Sequence, residues 1–309
     1  MSDGSNKMLS EISPKSAHDD GHNRGGLFRW ASSTIAWLRK VIPDLVRSKS
    51  VMIGLAIIAV WVFIAIAAPV ISPYSPTEIG SSRLQQPSLE HWLGTDHIGR
   101  DVLSRLFWGT RVVMLLAPIT VVLGILIAAP LGLVSGYVGG LVDTLIMRGC
   151  DILMSFPMLL IYILIITSYG ASKPVVVIAL ALGSVPHITR IVRSLVLDER
   201  TKDYVSAARL RGERRRYILL WEILPNVRGP IIVDSCIRVG YAIMGIGALG
   251  FLGLGIPPPT PDWGGMINEG RPWIFRMPWI VMAPAAALSS IVIGLNMFAD
   301  GIREVGQQR

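Results

Sequence analysis

Six apolar stretches of membrane length punctuate this chain: Val51–Ile71, Val112–Val134, Ile152–Ser168, Pro174–Val196, Pro230–Leu254 and Trp279–Phe298. A helix needs roughly 20 apolar residues to cross about 30 Å of hydrocarbon. Backbone polar groups in lipid must be satisfied within the spanning element, so runs of this kind select helices. The expected fold class is therefore an all-α integral membrane protein of about six transmembrane helices. Charged residues make up 16% of the 309, against about a quarter in soluble domains.

The net charge of +8 could serve nucleic acid, but its distribution argues otherwise. Lys7, Lys15, Arg24, Arg29, Arg39, Lys40, Arg47 and Lys49 precede the first run. Arg200, Lys202, Arg209, Arg211, Arg214, Arg215, Arg216 and Arg228 follow the fourth, whereas only Arg271 and Arg276 follow the fifth. Basic residues concentrate in cytoplasmic loops, so an N-in, C-in topology is expected.

Residues 1–26 are polar and too poor in apolar side chains to offset ordering entropy; they read as a flexible cytoplasmic tail. Over 27–49, Leu27, Trp30, Ile35, Leu38, Ile42 and Leu45 follow helical spacing among Arg29, Arg39 and Lys40. That pattern, with Trp30 and Trp37, predicts an amphipathic helix at the membrane interface. Residues 50–305 read as a single transmembrane domain. An external segment, 72–111, follows an extended path through Pro73, Pro76, Gly80 and Pro87. It ends in a short surface helix from Val102, where Asp101 and Arg105 are spaced to pair. Gly136 to Gly140 make a tight exit from the second run, leading to an in-plane helix. Pro157 and Pro186 should bend the third and fourth spans. Cys150 and Cys236 lie beside or inside spans and read as small buried hydrophobes.

Gly245, Gly247 and Gly250 match a dinucleotide fingerprint, but that motif needs a preceding strand and a following acid. Within an apolar run they are better read as small faces for close helix packing. No zinc-type His-Glu-x-x-His, nucleophile elbow or Walker phosphate loop occurs. His187 suits a packing role, and Asn296, Asp300 and Arg303 suit a polar helix end. Asp234 and Arg238 stand four apart inside the fifth run. Charge in hydrocarbon is costly unless paired or hydrated, so they are either a structural clamp or part of a pathway.

Asp203 to Asn226 is a charged island between apolar runs. Ser206, Ala207 and Ala208 are small enough for another backbone to approach. Gly212 can end a helix in left-handed geometry. Tyr217, Leu220 and Ile223 begin a second amphipathic segment, expected to end at Pro225. The set Ala207-Ala208, Gly212 and Leu224-Pro225 resembles the cytoplasmic coupling loop of ABC importer permeases. Ser206 stands where that family usually has Glu, and Glu222 where His is frequent.

Three further segments resemble the dipeptide/oligopeptide/nickel type: Leu93-Gly94-Thr95-Asp96 with Gly99-Arg100-Asp101; Asp143 to Arg148 with Asp151 and Phe156-Pro157; and Phe251 to Gly255 with Pro258 to Pro261 and Trp263-Gly264. Their order resembles the second, C-type permease. The resemblance implies a type I importer architecture in a bacterial inner membrane. Its partners would be a homologous permease, two ATPase subunits, one of them docked at the coupling loop 198–228, and an external solute-binding protein. ATP and magnesium would be used by the ATPases, with no cofactor on this chain. Peptides lead as substrate; nickel chelates, opines and glutathione fit the same machinery. A secondary carrier or channel is the alternative class.

Overall fold

The sequence pattern becomes nine helices in the computed structural model, which describes residues 48–80 and 82–307. They are α1 (Lys49–Ile71), α2 (Val102–Val138), α3 (Gly140–Ser155), α4 (Met158–Tyr169), α5 (Lys173–Glu199), α6 (Asp203–Leu210), α7 (Arg215–Phe251), α8 (Trp263–Gly270) and α9 (Trp279–Gln307). Among the described residues the β structure is one isolated bridge, Thr95 to Asp101. The expected tail and nearly all of the expected interfacial helix lie outside the described residues.

Five helices, α1, α2, α5, α7 and α9, are long and apolar enough to cross a membrane. The third expected span needs correction. Ile152–Ser155 belong to α3, and α4 meets α3 at an angle of 84°. Alone, α4 rises only about 18 Å at 1.5 Å per residue, short of the hydrocarbon thickness. Pro157 causes the break: a residue before proline is pushed out of helical geometry, and Phe156 is extended at φ −95°, ψ 141°.

Two other boundaries move. The expected surface helix at Val102 is the first three turns of α2 rather than a separate element. Its expected Asp101–Arg105 pair does not form. Asp101 instead caps α2, accepting the Ser104 N–H at 2.7 Å, and meets His91 Nδ1 at 2.8 Å. Arg105 turns to Asp96 and Glu269. The second amphipathic segment does not stop at Pro225 but runs on through Pro230 as α7. A wide π turn at Ile218–Ile223 precedes the proline, in a register that departs from the α ladder a proline ring would clash with.

The buried apolar side chains form two clusters. One, at the end remote from the charged island, joins Val113, Val121, Leu180, Ile246, Trp263 and Ile291. The other, nearer the island, joins Leu133, Val192, Val205, Ala208, Ile218 and Ile223. Helices α2 and α5 run against both. At Gly132 an added Cβ would sit 2.6 Å from Val192 Cβ, so only glycine allows this approach. The glycines of α7 act likewise: a Cβ at Gly247 would meet Leu288 Cδ1 at 2.4 Å. This is helix packing, with no strand before it, and not a nucleotide loop.

Candidate functional site

The charged island folds as a helix, a glycine break and the start of a spanning helix. Gly212 has φ +77°. Its N–H donates to the Arg209 carbonyl at 3.0 Å, and the Glu213 N–H donates to Ala208 at 3.2 Å. This pair of bonds satisfies the open carbonyls of α6. Nothing lies within 4 Å of where a Gly212 side chain would start, so the glycine serves backbone geometry rather than packing.

Small residues here divide by face. Ser206 and Ala207 are exposed. Ala208 is fully buried, packed with Val205, Ile218 and Ile223. The expectation that Ala208 meets a partner is thereby corrected: one face of α6 covers the π turn of α7, and Ala208 lies on it. Tyr217 and Leu220 are exposed while Ile223 is buried. The π turn explains this, because Ile218 and Ile223 share the inward face at a spacing of five. Leu224 and Pro225 are half-buried. Glu222 accepts from Arg211 Nη2 at 3.2 Å.

Two exposed residues escaped the sequence reading, Leu210 at 89% and Trp221 at 41% exposure. For Leu210 the available signal was an apolar side chain flanked by Arg209 and Arg211; Trp221, between Leu220 and Glu222, had none. With Ala207, Tyr217, Leu220 and exposed Arg209, Arg211, Arg214, Arg215 and Arg216, the island presents both apolar and basic side chains on its surface.

This surface is tied rigidly to the bundle. Arg200 Nη1 donates to the Gly136 carbonyl at 2.9 Å, and the Arg209 guanidinium lies 5.1 Å from the Tyr137 ring centre. Tyr204 donates its hydroxyl to Glu199 Oε2 at 2.6 Å, and burial together with that carboxylate pushes the phenol pKa up. Asp143 of α3 takes both Arg193 Nε and Nη2, at 2.5 and 2.6 Å. Helix α7 begins inside the island and continues as a spanning helix.

Asp234 and Arg238 do pair on α7, each side chain largely enclosed. At the remote end, Asp96, Arg100, Arg105 and Glu269 close a second ionic network joining the external segment, α2 and α8. Burial pushes the Asp96 carboxyl up, but the Arg100 N–H and the two guanidinium charges outweigh it and hold the pKa below the ordinary range. Asp96, His97 and Glu269 present ligand atoms within 4.8 Å of one another. Both carboxylates are already paired with arginine, so a metal ion there would face two guanidinium groups; the network reads as a clasp. Both cysteines are free, Cys150 buried and Cys236 half-buried.

Comparison with known proteins agrees with this architecture. Residues 128–309 match the model of the binding-protein-dependent transport system inner membrane component, and residues 37–87 match the N-terminal transmembrane domain of oligopeptide transport permease C. The chain is 39% identical to a dipeptide transport system permease protein of Alkalihalophilus pseudofirmus, over 86% of this chain and 88% of the relative. Identity to the corresponding Haemophilus influenzae protein is 36%, over 84% and 90%. Identity to a glutathione transport system permease protein of Pectobacterium atrosepticum is 38%, over 71% and 72%. With its apolar spanning helices and similarity on this scale, the chain belongs to the family of binding-protein-dependent transport system inner membrane components and is a multi-pass inner-membrane permease.

Proposed function

We propose that this chain is one of two permease subunits of an ATP-driven importer of di- or oligopeptides. An external solute-binding protein delivers the peptide, and one of the separate ATPase subunits docks on the island at Ala207, Leu210, Tyr217, Leu220 and Trp221. The observation that carries this reading is the joining of an exposed surface of apolar and basic side chains to a continuous helix, Arg215–Phe251. A partner seated there and moving on ATP binding would bias α7 between two arrangements, which is what coupling between distant sites requires. ATP and magnesium belong to the partners, since the sequence has no phosphate loop. Peptide is favoured because several relatives carry dipeptide in their names. Glutathione, itself a small peptide, is the second reading and rests on the Pectobacterium relative.

The test is reconstitution of the chain with its co-purifying partners in proteoliposomes. Uptake of labelled dialanine should require ATP and the binding protein, and the isolated chain should hydrolyse no ATP. Uptake of glutathione with none of dialanine would move the substrate to the second reading. ATP-independent uptake by the isolated chain would overturn the proposal.

A further inference from the structure

The two apolar clusters do not meet along α7. Residues Ile231 and Gly240 are buried, but none of 232–239 between them is. This half-buried interval carries Asp234, Ser235 and Arg238, the paired side chains being 16% and 12% exposed. On α5 the exposed His187 lies within electrostatic reach of Arg238, Asp234 and Arg190. Arg190 in turn pairs with Asp151 of α3 at 2.5 Å, both half exposed. Counting back from the helix ends remote from the island, His187 and Arg238 both lie about 20 Å along their helices at 1.5 Å per residue. They share one depth, well inside a hydrocarbon layer of about 30 Å.

Charged groups at that depth are not left facing lipid; they face protein or a water-filled cavity. This chain covers them only in part. A second observation is the balance of sign: Asp234 and Asp151 against Arg238 and Arg190, with His187 between. Such a wall suits a solute that carries one charge of each sign.

We propose that Asp234, Arg238, His187 and the Asp151–Arg190 pair line a hydrated passage and act as a transient site for zwitterionic solutes. The solute's carboxylate takes Arg238 while its ammonium takes Asp234. Each ionic partner is exchanged for another, so no buried charge is left alone during entry or exit. A site that only exchanges partners binds weakly enough to release, as conduction demands. The proposal rests on the peptide reading above and names where on this chain the peptide passes.

Two measurements on the reconstituted complex test it. In the first, His187→Cys is placed in a background with Cys150→Ala and Cys236→Ala. A charged, membrane-impermeant thiol reagent should label it in open inside-out vesicles, and millimolar dialanine should slow labelling about threefold or more. Ile232→Cys, on the other side of the interval, should label far more slowly. In the second, Arg238→Gln should assemble with its partners yet transport dialanine about tenfold more slowly, and Arg238→Lys should keep most of the rate. The exchanged pair, Asp234→Arg with Arg238→Asp, should remain slow because its polarity opposes that of its neighbours. Wild-type transport by the exchanged pair would show a mere clamp and overturn the proposal. So would failure of His187→Cys to label, which is the result expected if these charges face the second permease. If the wild-type complex carries no dialanine, the peptide reading fails, while labelling of position 187 still decides whether this wall is hydrated.

Discussion

Asp262 shows how one side chain can hold a junction at a cost set by pH. It caps α8, taking the Gly265 N–H on Oδ2 at 2.9 Å, and it is 2% exposed against the backbone of Gly250. Its other oxygen, Oδ1, is buried without a partner. Burial pushes its pKa up to about 6, opposed by the N–H groups of Gly265 and Gly264 and by Arg105, and reinforced by Glu269. The native state then binds more protons than the unfolded chain between about pH 4 and 6, so stability falls as pH rises through that window. Asp262→Asn keeps the cap and removes the charge. Thermal unfolding in detergent should show the variant matching wild type near pH 3.5 and exceeding it at pH 7, by on the order of 3 kcal/mol. Equal pH slopes for the two proteins would refute the assignment.

At the scale of the element, the helix–glycine–helix of the charged island separates an internally packed face from an exposed one. Ala207 and Ala208 are neighbours in sequence with opposite surroundings, exposed and fully buried. Ala208→Glu should drive an unpaired carboxylate into the Val205–Ile218–Ile223 cluster and lower the unfolding temperature by several degrees, since burying a charge without a partner costs several kcal/mol. Ala207→Glu should leave stability within about 0.5 kcal/mol and reduce co-purification of the ATPase subunits. Gly212→Val should cost about 1–2 kcal/mol through its positive φ alone, with transport lost in proportion to loop distortion. Undiminished ATPase association of Ala207→Glu would place the docking surface elsewhere.

For the whole molecule, the length of α7 fixes relations that no shorter element could. Its 37 residues span about 55 Å, more than a bilayer's hydrocarbon. Arg214 and the exposed Phe275 therefore belong on opposite sides. With the basic island inside, Phe275→Cys should label in intact cells, and Arg214→Cys only after permeabilisation. The reverse pattern would invert the proposed topology while leaving the helices as they are. Rigid attachment of the island to α2 by Arg200 and Arg209 means that movement there reaches more than one span.

The sequence alone determined the helical class, five of the spans, the Gly212 break and the intrahelical Asp234–Arg238 pair. Each depends on properties read within one segment: apolar length, a residue's backbone freedom, or a spacing of four. Pro157 announced a bend, but whether it tilts a span or folds it back by 84° depends on what the two halves pack against. The burial of Ala208 beside exposed Ala207 was likewise hidden, because it follows from a π turn in a different helix. Arg105 left its sequence neighbour Asp101 for Glu269, 164 positions away, since buried carboxylates compete for guanidinium groups in space. The half-buried interval of α7 between two apolar clusters has no local signature at all. It exists because α7 buries residues against one cluster at Ile231 and the other from Gly240 and only half-buries those between, which tertiary packing decides.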